Sequence, residues 1–96
     1  MKIVSSQKIN ILAKSNDSFK DECNRAILRH SRKDWGIVDR NIVEENSVAL
    51  CNQGEVFSAY RTYYGKIWVI TNIKTGETTI MFPEEYRAGE KYGKKI

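Results

Sequence analysis

The side chains that suit acid–base or nucleophilic chemistry are few and widely spaced. His30 is the single histidine, and its ring is the one side chain that ordinarily titrates near neutral pH. It falls at the end of the apolar face of a predicted helix, among arginines, which favours a structural role near the negative end of the helix dipole. Cys23 lies on the same apolar face, and Cys51 lies near a helix C-terminus, where the dipole opposes a thiolate. Neither cysteine is predicted to act as a nucleophile.

Metal and cofactor sites are not predicted either. One histidine and two cysteines leave too few ligands for a metal, and the chain has no phosphate loop or dinucleotide-binding fingerprint. Asp34 lacks a second carboxylate at a spacing suited to acid–base catalysis. The adjacent glutamates at 44–45 and 84–85 point in different directions and are expected to be solvated. We therefore expect a protein that is not an enzyme and that carries no cofactor.

A basic stripe runs along one flank of the first predicted helix. Its members recur at helical spacings of i, i+4, i+7 and i+8, and they are Arg25, Arg29, Arg32 and Lys33. Such a stripe suits contact with the phosphates of a nucleic acid or with an acidic partner. Charge runs also occur as plain solvated helix faces, and this alternative stays open.

Aromatic residues in predicted connections form a second set of candidates, for protein binding. Tyr63 and Tyr64 fall at the tip of a predicted hairpin, where exposed tyrosines suit an interface anchor, although one of the two can also fold back onto the sheet. Arg61 precedes them on the same strand. Trp35, together with Arg32, lies at the junction between two predicted helices. The alternative for Trp35 is a core residue whose ring fixes this junction.

Two amphipathic helices position these side chains. Apolar residues recur at helical spacing over about 18–31 and again over about 39–52. Residues 15–18 supply oxygen-bearing side chains that cap the first helix, and Asp39 is the predicted N-cap of the second. We expect both helices to pack on one face of a sheet.

The second half of the chain has the composition of β-strands. Strands are predicted over 56–62, 67–71 and 78–82, and the short connections between them favour an antiparallel meander. Pro83 lacks the N–H group that would extend the last strand. Residues 8–12 are either an edge strand or an extended lead-in to a helix. The fold class is therefore α+β, with two helices on a three-stranded antiparallel meander and an optional N-terminal edge strand.

Length and composition limit the class of protein. The chain fits a single domain, 1–96, with 1–14 as a lead-in segment or edge strand and 87–96 as a flexible tail. The 41% apolar and 10% aromatic content argues against disorder. The net charge of +4 is uneven, because 1–33 carries eight basic and three acidic residues and 34–96 carries eight and nine. No apolar run is long enough for a membrane span, and the start is unlike a secretory signal, so a cytoplasmic protein is expected.

A set of short motifs, in order over residues 27–86, resembles a family of small proteins from plasmids, phages and other mobile elements. The family pattern reads RH-x-x-GDWG, E-N-x-x-AL, SAY, KIW-[IV]-IT and LPEEY. This chain departs from it at Lys33, where the family usually has glycine. The matching residues are Arg29-His30-Ser31-Arg32-Lys33-Asp34-Trp35-Gly36, Glu45-Asn46, Ala49-Leu50, Phe57-Ser58-Ala59-Tyr60, Lys66-Ile67-Trp68-Val69-Ile70-Thr71 and Phe82-Pro83-Glu84-Glu85-Tyr86.

The resemblance implies a role against host defences inside a bacterial cell. Small inhibitors of CRISPR effectors are one prominent class of such proteins, so the implied partner is a host defence protein, a Cas effector or its guide-RNA complex. The resemblance brings no catalytic residues with it. Direct contact with nucleic acid and a homodimer are left open, and no membrane partner is expected.

Two other classes of function compete with this interpretation. The order of helices and strands also looks like that of the RelE/ParE toxins, which cleave messenger RNA on the ribosome or poison gyrase. In that hypothesis Arg61, Lys66, Arg87 and Tyr92 stabilise the phosphate charge, but the low net charge counts against it. The third hypothesis is a DNA-binding regulator that uses the first helix, although the acidic residues of the second helix would repel phosphates.

Overall fold

Each helix begins at a side chain that accepts a hydrogen bond from the first helical turn. The computed structural model describes residues 2–86. Ser6, Asn16 and Asp39 each accept a hydrogen bond from the backbone N–H group three residues further on. These caps fix the starts of α1 (Gln7–Ser15), α2 (Asp17–Ser31) and α3 (Arg40–Asn52). The helices predicted over 18–31 and 39–52 are confirmed as α2 and α3.

The first helix, α1, was not predicted. Residues 8–12 lie inside α1, so the expectation that they are extended is wrong. The physical reason is a helical pattern that follows the Ser6 cap, because Ile9 is buried in the core and Leu12 and Ala13 pack against it. Three apolar contacts at i, i+3 and i+4 outweigh the local resemblance to a strand.

The sheet has four strands, and its order is β1-β4-β3-β2. The three later strands form the predicted antiparallel meander. The optional N-terminal edge strand is present, but it lies before residues 8–12, at β1, and it pairs in parallel with β4. The sheet is therefore mixed rather than purely antiparallel. The strands are β1 (Lys2–Ser5), β2 (Glu55–Thr62), β3 (Gly65–Asn72) and β4 (Glu77–Met81), and a single 3-10 turn follows at Pro83–Glu85.

The core lies between the sheet and the pair α1 and α2. Phe19 of α2 is fully buried and stacks on Phe82 with ring centroids 5.8 Å apart. Side chains that alternate along β3 and β4 meet it from the sheet. The buried apolar residues of this cluster are Ile9, Phe19, Cys23, Ala26, Tyr60, Ile67, Val69, Ile80 and Phe82.

The helix α3 lies along the edge strand β2, which corrects the expectation that it packs on the sheet face beside α2. The Asn46 side-chain amide donates to the Phe57 carbonyl at 2.8 Å and accepts from the Phe57 N–H group at 2.9 Å. Asn46 is the one buried residue of α3, whereas Val43 remains 40% exposed. The helix thus protects backbone groups at a sheet edge instead of burying an apolar stripe.

The end of α2 is a Schellman turn built on a lysine. Lys33 has a positive φ of 66°, a conformation that glycine adopts at little cost. Its N–H group donates to the His30 carbonyl at 3.1 Å, and the Asp34 N–H group donates to the Arg29 carbonyl at 2.9 Å. The turn therefore has the geometry that favours glycine, although the side chain is that of lysine.

Candidate functional site

An ion pair closes the junction that follows α2. The Arg29 guanidinium donates to both carboxylate oxygens of Asp34, at 2.8 and 3.2 Å, and this bond lowers the pKa of Asp34. The same guanidinium lies over the Tyr60 ring, 4.8 Å from its centroid. The Tyr60 hydroxyl donates to the Asp34 carbonyl at 2.6 Å. Asp34 therefore acts as a link between α2 and β2.

The next two residues extend the edge of the sheet. The Trp35 carbonyl accepts from the Ala59 N–H group at 3.1 Å, and the Ile37 N–H group donates to the Ala59 carbonyl at 2.8 Å. Gly36 lies between them with a φ of 75°, and a Cβ atom there would come within 2.0 Å of the Ala59 carbonyl oxygen. Only glycine fits this close approach.

A buried chain of hydroxyl groups surrounds His30. Nδ1 lies 2.6 Å from the Ser58 hydroxyl, and Nε2 lies 2.8 Å from the Thr71 hydroxyl. The Ser58 hydroxyl donates to the Val69 carbonyl at 3.3 Å, so Nδ1 carries the ring proton and donates to Ser58. Thr71 in turn lies 2.7 Å from the Thr78 hydroxyl. The histidine thereby joins α2 to β2 and β3.

Burial sets the charge of this histidine. It lowers the pKa of His30 to about 4, so the ring is neutral at physiological pH. Both nitrogens are engaged by hydroxyl groups, and no carboxylate of residues 2–86 contacts the ring. A general base needs a nitrogen that is directed at a substrate proton. The visible role of His30 is the structural one that its spacing favoured.

Trp35 covers this histidine. Its ring meets the His30 ring edge-on, with centroids 5.5 Å apart, and it is half-buried. The side chain therefore packs on the junction after α2 without being part of the buried core, and its predicted binding role stays a prediction.

Comparison with known proteins gives no counterpart. No family model, curated protein or solved structure matches the chain. The resemblance to a mobile-element family therefore stays a prediction. The structure does show that the motif residues contact one another, because Arg29, His30 and Trp35 bind or cover residues of the Ser58-Ala59-Tyr60 segment.

The hairpin tip between β2 and β3 is held against α2. Both carboxylate oxygens of Glu22 accept from the Tyr63 N–H group, at 3.1 and 3.3 Å. Tyr64 folds back onto the helix rather than the sheet, where its ring meets Phe19 edge-on at 5.7 Å and its hydroxyl contacts the Asn16 side chain. The Tyr63 side chain projects outward and is 86% exposed. A fixed backbone thus presents an aromatic ring that meets the Tyr64 ring edge-on, with centroids 5.2 Å apart, and is otherwise open to solvent.

A surface concavity with a volume of about 490 Å³ lies beside this tyrosine. Arg25 of the basic stripe contributes its guanidinium group, which has no ion-pair partner among residues 2–86. We call this region the tyrosine concavity. Its lining residues are Asn16, Ser18, Asp21, Glu22, Arg25, Tyr63 and Tyr64.

The structure separates the other predicted site residues. Arg32 is exposed at the end of α2, and Lys33 leaves the stripe because the helix ends at Ser31. Ser58 and Tyr60 contact α2, so strand alternation points Arg61 to the opposite face of the sheet. The residues predicted for protein binding at the hairpin and at the helix junction therefore lie in three places, and the tyrosine concavity unites Arg25 with the hairpin tyrosines.

The residues of the toxin hypothesis are brought together in part. Arg61 and Lys66 are directly opposite each other on β2 and β3, and both are exposed. Two cations on adjacent strands share one face of the sheet. Arg87 and Tyr92 lie outside the described residues, as does the tail predicted over 87–96.

Among the described residues, the two cysteines are not grouped with other side chains into a reactive or metal-binding centre. Burial, with a further effect of Glu22, raises the pKa of the Cys23 thiol to about 11. Cys51 is exposed on α3. Within residues 2–86 no three histidine, cysteine or acidic side chains are grouped so as to hold a metal ion, and no helix is long and apolar enough to cross a membrane.

Two acidic residues have roles that the sequence did not reveal. Glu22 anchors the hairpin, and nothing in the helix pattern links it to a turn 41 residues away. Glu85 was expected to be solvated, but it accepts from the Ser6 hydroxyl at 2.5 Å and from the Phe82 and Lys8 N–H groups at 2.9 and 3.1 Å. Although burial opposes the shift, these bonds lower the pKa of Glu85. A Pro-Glu-Glu turn after a strand is the signal that could have pointed to this cap.

Proposed function

We propose that this chain is a non-enzymatic binding protein that inhibits a macromolecular partner through the tyrosine concavity. The observation that carries the proposal is the fully presented ring of Tyr63 on a fixed backbone. An exposed tyrosine costs solubility, and beyond the edge-on contact with Tyr64 this ring is open to solvent, where it supplies a large contact area with few rotatable bonds.

Preorganisation supports a binding role for this surface. Glu22 fixes the Tyr63 backbone, and Tyr64 is packed on Phe19, so the tip loses little conformational entropy when a partner covers it. Tyrosine and arginine are also the residue types that dominate interface energetics. Arg25 provides such a cation in the same concavity.

The partner suggested by the resemblance is a host defence nuclease, with a Cas effector or its guide-RNA complex as the leading candidate. The concavity carries the Arg25 cation, the carboxylates of Asp21 and Glu22 and exposed aromatic rings, which suit a patch of mixed charge and π-rich groups on a protein. Inhibition needs only that this surface cover the partner's functional groove, and it needs no chemistry from the chain itself.

A transfer assay tests the proposal. Cells that carry defined CRISPR systems are challenged with a targeted plasmid or phage while they express the chain. We expect protection from the native chain and loss of protection with Tyr63→Ala and Arg25→Ala. Lys74→Ala, which removes an exposed cation from the other hairpin, serves as the control and should protect fully. A native chain that gives no protection in any system contradicts the proposal.

The pairing of Arg61 with Lys66 favours a second candidate, a toxin of the RelE/ParE kind. Adjacent cations can stabilise the charge that develops on a phosphate during RNA cleavage. The test is expression in bacteria without any CRISPR system, where the toxin hypothesis expects growth arrest that the Arg61→Ala/Lys66→Ala double variant relieves. Normal growth with abundant soluble protein excludes this candidate and leaves the binding proposal intact.

A further inference from the structure

A small cavity lies on the side of α2 away from the tyrosine concavity. It measures about 170 Å³ and opens between the end of α2, the end of α3 and the sheet. Most of its wall is apolar, from Ile27, Leu50, Val56, Ile73 and Trp35, and Ser31, Thr71 and Thr78 also line it. An apolar cavity of roughly 150 Å³ is large enough for a benzene-sized molecule.

One positive charge stands at the mouth of this cavity. Lys33 is exposed and has no ion-pair partner among residues 2–86. His30 also lines the cavity, but it is neutral because burial lowers its pKa to about 4. The remaining lining residues carry no charge. An apolar interior with a single cation at its rim selects an anion that has a compact apolar body.

The backbone at Lys33 is a second observation. A non-glycine residue at a φ of 66° is strained, and glycine would relieve the strain in this Schellman turn. Strained positions that persist are concentrated at ligand sites, since the side chain must then offset the cost in another way. A lysine that lines a cavity mouth supplies such a reason.

We infer that this cavity binds a compact aromatic or aliphatic monocarboxylate. The apolar body enters between Ile27 and Leu50, against the Trp35 ring, and the carboxylate pairs with the Lys33 ammonium group. This site is independent of the tyrosine concavity and goes beyond the proposed function.

Titration of the full chain with benzoate, followed by NMR at the two tryptophan side chains, tests the inference. We expect saturable shifts of the Trp35 indole signal and none at Trp68, which lies on the opposite face of the sheet against Phe57 and Tyr86. Benzamide has the same shape without the charge, so it should bind about fivefold more weakly. The range extends to about 100 mM, because a ligand of roughly nine non-hydrogen atoms is expected to bind at worst with a Kd of about 10 mM, and the fivefold weaker ligand must still be measured.

Two variants test separately what the Lys33 charge and the apolar cavity contribute to binding. Lys33→Gly suits the positive φ and therefore folds, and it should reduce benzoate affinity to that of benzamide. Leu50→Phe fills the cavity and should abolish binding of both ligands, whereas Lys74→Ala should change neither. Absence of a saturable Trp35 shift, equal affinities for benzoate and benzamide, or full benzoate affinity in Lys33→Gly would each overturn the inference.

Discussion

The junction after α2 and the tyrosine concavity lie at opposite ends of one helix and differ in how their polar groups are used. At the junction, Arg29, His30 and Asp34 are all bound by partners within the chain. At the concavity, the Arg25 guanidinium and the Tyr63 ring project from a fixed backbone. The recognisable motifs thus fall where side chains hold the fold together, and the surface that we propose for a partner falls outside them.

The largest effect should come from Gly36 at the junction. Gly36→Ala places a Cβ atom 2.0 Å from the Ala59 carbonyl and 2.7 Å from the Tyr60 ring, at a positive φ. We expect the free energy of unfolding to fall by about 3 kcal/mol or more, from overpacking and backbone strain together. Urea denaturation monitored by circular dichroism measures this loss.

A matched control isolates the close contact. Gly76 has a φ of 77° against 75° at Gly36, but a Cβ atom there meets nothing within 4 Å. Gly76→Ala should therefore cost only the backbone strain, about 1 kcal/mol. Equal losses at the two glycines would show that the junction is not packed as tightly as described.

The second prediction concerns pH and His30. The folded pKa of about 4 lies below the ordinary 6.5, so the unfolded chain binds the proton first as pH falls. Stability should be constant above about pH 6.5 and should decrease between 6.5 and 4, by about 3 kcal/mol in total. His30→Gln should abolish the slope between pH 6.5 and about 5, because the chain has no other histidine, whereas the lowered pKa values of Asp34 and Glu85 keep a slope below that range. An unchanged slope in the variant would remove His30 from the buried network.

Local patterns predicted most of the elements but not their long-range contacts. Helical periodicity and the Asp39 cap predicted α3, and strand-forming residues with short connections predicted the meander. The failures concern partners distant in sequence, such as β1 against β4 and Asn46 on the backbone of Phe57. A short stretch of sequence does not distinguish a helix that packs on the face of a sheet from a helix that binds the edge of a sheet.

The candidate site was predicted in its residue types but not in its arrangement. Tyr63, Tyr64 and Arg25 were singled out, yet the sequence assigned Arg25 to a different group from the tyrosines. The three residues come together because the hairpin bends onto α2. There Glu22 binds the Tyr63 N–H group and Phe19 packs against Tyr64. Those two contacts span more than 40 residues, so neither periodicity nor capping rules express them.

A smaller effect of opposite sign is expected at the strained turn. Lys33→Gly relieves a positive φ of 66°, while glycine adds freedom to the unfolded chain. Because the relief of strain outweighs the added freedom of the unfolded chain, we expect the free energy of unfolding to rise by up to about 1 kcal/mol. Gln53→Gly, at a φ of 57° after α3, should behave alike in the same denaturation experiment. A loss of stability at Lys33 would mean that its side chain supports the junction.

The smallest effect on stability should come from replacing Tyr63. A small effect there sharpens the contrast between the tyrosine concavity and the junction after α2. Tyr63→Ala removes a ring that is 86% exposed, so the free energy of unfolding should change by no more than about 0.5 kcal/mol. Tyr64→Ala removes the contact with Phe19 and should cost more, about 1–2 kcal/mol.

Measuring both variants by denaturation and in the transfer assay separates a role in the fold from a role in binding a partner. If Tyr63→Ala keeps the stability of the native chain and loses protection, the ring acts on a partner rather than on the fold. If Tyr63→Ala instead destabilises the chain as much as Tyr64→Ala, then the exposed ring contributes to packing and the contrast between junction and concavity fails.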